Sequence, residues 1–139
     1  MNWYRYRGFE MLEDKYWYAY EKFSRTIYAL AIGAGDIRSR LLNAYDQFGV
    51  ITQDHLLKHL REDLIWIKKT ITKYNEKWPG QLEKLRVYEK KDLTFKERLP
   101  YLYPTPVEAT LSRIRRSTGV EIAKRIFKIY ESLDSQVRD

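Results

Sequence analysis

The sequence predicts an all-α fold, a compact bundle of four principal helices with a charged, partly helical insertion before the last. Three observations predict it. Apolar side chains recur at steps of three and four along four separate stretches, which is the spacing that lines one side of a helix. Turn-forming clusters, Gly33-Ala34-Gly35, Gly49 and Trp78-Pro79-Gly80, stand between those stretches. No convincing strand pattern interrupts them. At 139 residues the chain is one domain, 1–139, long enough to bury roughly two thirds of its unfolded surface.

The first stretch places Phe9, Leu12, Tyr16, Ala19, Phe23, Ile27 and Leu30 on one side of a helix near 9–32. Trp17, Tyr18 and Tyr28 fall off that side, so the helix is expected to meet neighbours on more than one face or to offer rings to a partner. Asp36 is placed to cap a second helix, 36–48, that turns Ile37, Leu41, Ala44, Tyr45 and Phe48 inward and closes at Gly49. Thr52 opens a third, 52–75, with Leu57, Leu60, Leu64, Ile67, Ile71 and Tyr74 as its seam. Residues 76–104 form the irregular connector. The last stretch starts at Thr105-Pro106-Val107-Glu108, where Thr105 and Glu108 can cap reciprocally and Pro106 suits the first helical position. Its stripe runs from Val107 through Leu111, Ile114, Thr118, Ile122, Ile126 and Ile129 to Leu133. Ser117-Thr118-Gly119 interrupts it, and 105–134 reads either as two coaxial or bent segments, the preferred reading, or as one continuous helix.

Composition narrows the function classes. The absence of cysteine excludes disulfides and thiolate metal sites. The longest small and apolar run, 27–35, falls far short of the roughly 20 residues of a membrane span, and the opening Met1-Asn2-Trp3-Tyr4-Arg5-Tyr6-Arg7 lacks a signal-peptide design. A cytoplasmic protein of bacterial style, with no membrane partner, is expected. The formal net charge of +7 favours an acidic partner such as nucleic acid. Yet the excess of basic over acidic residues is spread through the chain, with no basic tail or block, as on ordinary solvated helix faces.

Candidate chemistry is sparse. His55 and His59, four apart, would share a helical face with Glu62 and Trp66, opposite the leucine seam, and a metal could bridge them with Glu62 or Asp63. Leu56 excludes the zinc-protease pattern, and no third ligand is fixed, so whether a metal binds stays open. Neither histidine has a triad-like setting, the adjacent carboxylates Glu13-Asp14 and Glu62-Asp63 read as surface ion pairs, and Gly33-Ala34-Gly35 follows a helix rather than a strand. No catalytic or cofactor-binding set emerges, and the expectation is a protein that is not an enzyme.

Arginines are the more informative feature. Arg38 and Arg40 begin the second helix, and Arg113, Arg115 and Arg116 precede Ser117-Thr118-Gly119, with Lys124, Arg125 and Lys128 beyond. On a continuous helix Arg113, Arg116, Lys124 and Lys128 lie away from the apolar stripe, where they can grip phosphates. Arg115 and Arg125 flank the stripe and are expected to be held by acids of neighbouring helices, Asp36 being one. Leu111-x-x-Ile114 followed by Thr118-Gly119-Val120 resembles a helix-turn-helix, but Arg115 stands where a small residue normally lets the helices approach.

Gly35-Asp36-Ile37-Arg38-x-Arg40-Leu41 with Ala44-Tyr45, and Arg113-Ile114-Arg115 leading to Thr118-Gly119-Val120 and Ile122-Ala123, together resemble a family of small, uncharacterised bacterial proteins. That resemblance implies an all-helical fold and no assigned activity.

The function expected from these residues is that of a non-enzymatic binding or accessory protein, contacting nucleic acid backbone or a nucleoprotein complex through Arg38, Arg40, Arg113, Arg116 and Lys124. The alternative is a protein-interaction module or homo-oligomer that uses exposed aromatics, Trp66, Trp17 and Tyr18.

Overall fold

The computed structural model describes residues 13–74 and 105–138, and the backbone of Tyr6–Arg7 and Glu10–Met11. The connector expected at 76–104 and most of the aromatic opening lie outside the described residues. Five α-helices are described: α1 (Asp14–Ile32), α2 (Ile37–Phe48), α3 (Arg61–Ile71), α4 (Pro106–Leu111) and α5 (Arg116–Arg138). Two 3-10 turns, Gln53–His55 and Lys58–Leu60, precede α3. The fold is all-α. Before α1, β1 (Tyr6–Arg7) and β2 (Glu10–Met11) make a two-residue antiparallel pair, which moves the helix start from the expected position 9 to Asp14.

α5 is the element the others share: α1, α2 and α3 all pack on it, while α4 bridges α2 and α3. The stripe read from the sequence explains why. Ile122, Ile126, Ile129 and Leu133 of α5 are sealed from solvent together with Phe23, Leu41, Phe48, Leu64 and Ile67 in one contiguous cluster. Burying each such side chain is worth about 1.5–3 kcal/mol, more than most single caps, so these seams set the packing.

Two further expectations about the helices need correction. The helix expected over 52–75 does not start at Thr52. The His55 ring Nδ1 accepts from the Thr52 backbone N–H at 2.9 Å, closing a tight turn, and Leu56 then runs extended. That extension swings Leu56 fully into the core and leaves Leu57, the seam residue of the continuous helix, half-buried. Arg61 Nε donates to the Leu56 carbonyl at 3.2 Å, supplying the partner a helix would have given it. The seam from Leu60 through Leu64, Ile67 and Ile71 is as expected.

The last stretch does divide into two helices, with the Thr105 hydroxyl accepting from the Glu108 N–H at 3.1 Å at its start. The division falls at residues 112–115, not at Ser117-Thr118-Gly119. Gly119 lies inside α5, buried, because it is a point of contact: a Cβ there would sit 3.0 Å from Ile37 Cγ2. The division is fastened by side chains. Thr110 Oγ1 accepts from the Tyr74 N–H at 2.9 Å, tying α4 to the end of α3, and Arg38 Nη1 donates to the Ile114 carbonyl at 3.2 Å. The segments beginning Gly35-Asp36-Ile37-Arg38 and Arg113-Ile114-Arg115, distant in sequence, therefore meet at one corner of the fold.

Candidate nucleic-acid interface

Asp36 organises that corner. As the N-cap of α2 its carboxylate accepts from the Arg38 backbone N–H at 2.9 Å, and the Arg38 guanidinium closes on it with Nη2 at 2.8 Å. Arg116 Nε, on the first turn of α5, reaches the same carboxylate at 3.4 Å. Hydrogen bonding from Arg38 holds the Asp36 carboxyl well below its ordinary value, at about 2, because it favours the charged form. A cleft of about 310 Å³ opens beside it, lined by Asp36, Arg38, Ser39, Leu42, Glu108, Leu111 and Ser112. Its charges are mixed.

The cations named from the sequence divide into two groups. Arg38 and Arg40 are engaged within the fold. Arg40 donates through Nη1 to the Leu30 carbonyl at 3.2 Å and through Nε to the Gly35 carbonyl at 3.0 Å, closing the end of α1, whose own last turn carries no basic residue. Gly35 makes that approach possible with φ +85°, a conformation side-chain-bearing residues rarely adopt. Lys68 does the equivalent for α2, donating to the Gly49 carbonyl at 3.1 Å. Cations from later elements thus satisfy carbonyls left unpaired at helix ends.

Arg113, Arg115, Arg116 and Lys124 form the outward group, all exposed. Arg113 lies over the Tyr74 ring at 4.9 Å, and the Arg116 side chain is 75% exposed despite its contact with Asp36. Lys124 follows Arg116 by eight residues on α5, about 12 Å along the axis. Arg115 departs from expectation: it faces solvent, and Asp36 is held by Arg38 and Arg116 instead. Arg125 conforms. It pairs with Asp63 on α3 at 3.3 Å and with Glu121 at 3.3 Å, while Lys128 reaches the other Asp63 oxygen at 3.0 Å.

The aromatic residues are less available than their sequence positions suggest. Trp66 is half-buried beneath the Arg125 guanidinium, 4.0 Å from its ring centroid. Trp17 is half-buried and stacks on Tyr20 at 5.5 Å, continuing to Tyr130 at 6.1 Å and Phe127 at 6.2 Å. Tyr18 is exposed, with its ring 5.1 Å from that of His55. The larger exposed apolar groups are Tyr28 and Ile32 on α1, at 65% and 63%.

The histidines do not share a helical face, since they sit in successive 3-10 turns. His55 closes its turn, and His59 Nε2 lies 3.0 Å from Ser132 Oγ on α5. Among the described residues no group of three or more histidine or carboxylate side chains is placed to hold a metal ion. No described helix is long and apolar enough to cross a membrane.

No protein-family model, no curated protein and no solved structure matches this chain.

Proposed function

We propose that this is a non-enzymatic accessory protein, acting in the cytoplasm, that grips the phosphate backbone of nucleic acid at the corner between α4 and α5. Arg113, Arg115 and Arg116 make the grip, and Lys124 extends it along α5. The feature that supports this reading is the exposure of three arginines within four residues where α4 gives way to α5, Arg113 beside the Tyr74 ring and Arg116 beside the Asp36 carboxylate. Arginine forks suit phosphate oxygens, which they can engage with two parallel N–H donors. Arg38 and Arg40 serve by building the corner rather than by touching the ligand.

Fluorescence anisotropy with labelled DNA and RNA at two salt concentrations tests the proposal. Binding that weakens steeply as salt rises is the expected outcome; no binding at low salt removes it. The second reading, a protein-interaction module or homo-oligomer, is favoured by one observation, the exposure of Tyr28 and Ile32 on the same helix. Light scattering together with a nuclease-treated pull-down separates the two, because a protein partner survives nuclease and moderate salt.

A further inference from the structure

A second cleft lies away from the corner, between the Gln53–His55 turn and α3. It is an open groove of about 400 Å³, lined by Thr52, Gln53, Leu64, Ile65, Lys68, Lys69 and Thr72. That volume sits at the small end of the roughly 300–1,000 Å³ of ligand pockets. None of its lining residues is acidic.

The lysines are what distinguish it. Lys68 is half-buried, and its ammonium is fixed by one hydrogen bond to the Gly49 carbonyl at 3.1 Å, a neutral acceptor at the end of α2. Burial pulls its pKa down, the sign of a cation short of countercharge. An ammonium has three donors, and the carbonyl accounts for one. Lys69 lines the same space, and neither lysine makes an ion pair with a carboxylate among the described residues. The Gln53 amide adds a neutral donor, the Thr72 hydroxyl already donates to the Lys68 carbonyl, and Leu64 with Ile65 adds apolar lining.

We infer that this cleft binds a phosphate monoester, held by Lys68 and Lys69 and oriented by the Gln53 amide. Two positive charges match the roughly −1.5 to −2 that such a group carries at neutral pH. A carboxylate would neutralise only half of them. The group can come from a small molecule or from the phosphorylated end of a nucleic acid.

The experiment is amide-resolved NMR of the full chain, titrated with inorganic phosphate and, as a control, with chloride at equal ionic strength. Saturable shifts confined to Gln53, Lys68, Lys69 and Thr72 are expected with phosphate, and Lys69→Gln should weaken them about tenfold, the loss of about 1.4 kcal/mol from one charged contact. Lys69 is the residue to change because Lys68 also closes α2. No saturable shift, equal shifts with chloride, or indifference to Lys69→Gln overturns the inference. Oligonucleotides with a 5′-phosphate or a 5′-hydroxyl then separate the sources: cleft shifts with the phosphorylated end alone assign the site to nucleic acid termini, whereas cleft shifts with inorganic phosphate and neither oligonucleotide assign it to small molecules. Shifts at Arg113, Arg115 and Arg116 report the corner independently, so the two sites stand or fall separately.

Discussion

Gly119 offers the sharpest test of the packing at the corner, through Gly119→Ala. In an open helix interior this change stabilises by about 1 kcal/mol, because glycine is the costlier helix residue. Here the new methyl carbon would lie 3.0 Å from Ile37 Cγ2, 3.5 Å from Arg38 Cγ and 3.7 Å from Leu41 Cδ1. The last two are ordinary contacts. The first is about 0.5–1 Å inside the favourable carbon–carbon separation, so Ile37 must move. Overpacking typically costs about 1–3 kcal/mol, but Ile37 is the first residue of α2 and half-exposed, which puts the cost at the lower end. The helix gain and the packing loss should nearly cancel, leaving Gly119→Ala within about 1 kcal/mol of the parent. Gly119→Val, with two further methyl groups against the same wall, should lose about 2 kcal/mol or more. Urea denaturation at equilibrium reads these differences, as does a melting shift of about 3–5 °C per kcal/mol for a domain of this size. The decisive comparison is a double-mutant cycle with Ile37→Ala, which removes the opposing methyl. In that background Gly119→Ala should regain about 1 kcal/mol. A full gain with Ile37 in place, or no coupling between the two sites, would refute the close approach of α2 and α5.

Two further outcomes follow from the contacts around the same corner. Asp36 has a folded-state pKa depressed from 3.8 to about 2, so the stability it confers is complete above its unfolded value and lost as pH falls through the folded one. NMR titration should place its carboxyl midpoint near 2 with stability declining between about pH 4 and pH 2; a midpoint near its ordinary value would show that Arg38 does not hold it. Thr110 is fully buried and takes the Tyr74 N–H, so Thr110→Val should cost about 1–3 kcal/mol by leaving that donor unpaired, while Thr110→Ser keeps the acceptor and should cost less. Equal losses in the two variants would show that the hydroxyl is not what joins α3 to α4.

Much of the fold was legible in the sequence, for a definite physical reason. The seams that decide packing are periodic, and Ile122, Ile126, Ile129, Leu133, Leu60, Leu64, Ile67 and Ile71 all lie buried where the steps of three and four put them. Local caps were legible too: Asp36 and Thr105 each accept the backbone hydrogen bond their positions suggested. What escaped depends on contacts between distant segments. Gly119 reads as a breaker from propensity alone, but a penalty of about 1 kcal/mol yields to the burial gained when Ile37 closes against it. His55 reads as an outward residue of a helix until its ring is seen closing the turn that brings Leu56 inside. At the candidate site, sequence spacing located the outward cations Arg113, Arg116 and Lys124. It did not distinguish them from Arg38 and Arg40, whose carbonyl acceptors are supplied by other helices and turns. Lys68 was visible only as a charge near a helix end; its reach to Gly49 is tertiary, and so is the cleft it lines.

The proposed grip on phosphates is tested most directly by the salt dependence of duplex DNA binding, measured for the parent and for Arg113→Gln/Arg115→Gln/Arg116→Gln. Each lost phosphate contact should lower the slope of log K against log salt by about 0.9, so the triple variant is expected to bind more weakly with a slope reduced by about 2 to 3. An unchanged slope in a folded variant would contradict the assignment of backbone contacts to the corner between α4 and α5.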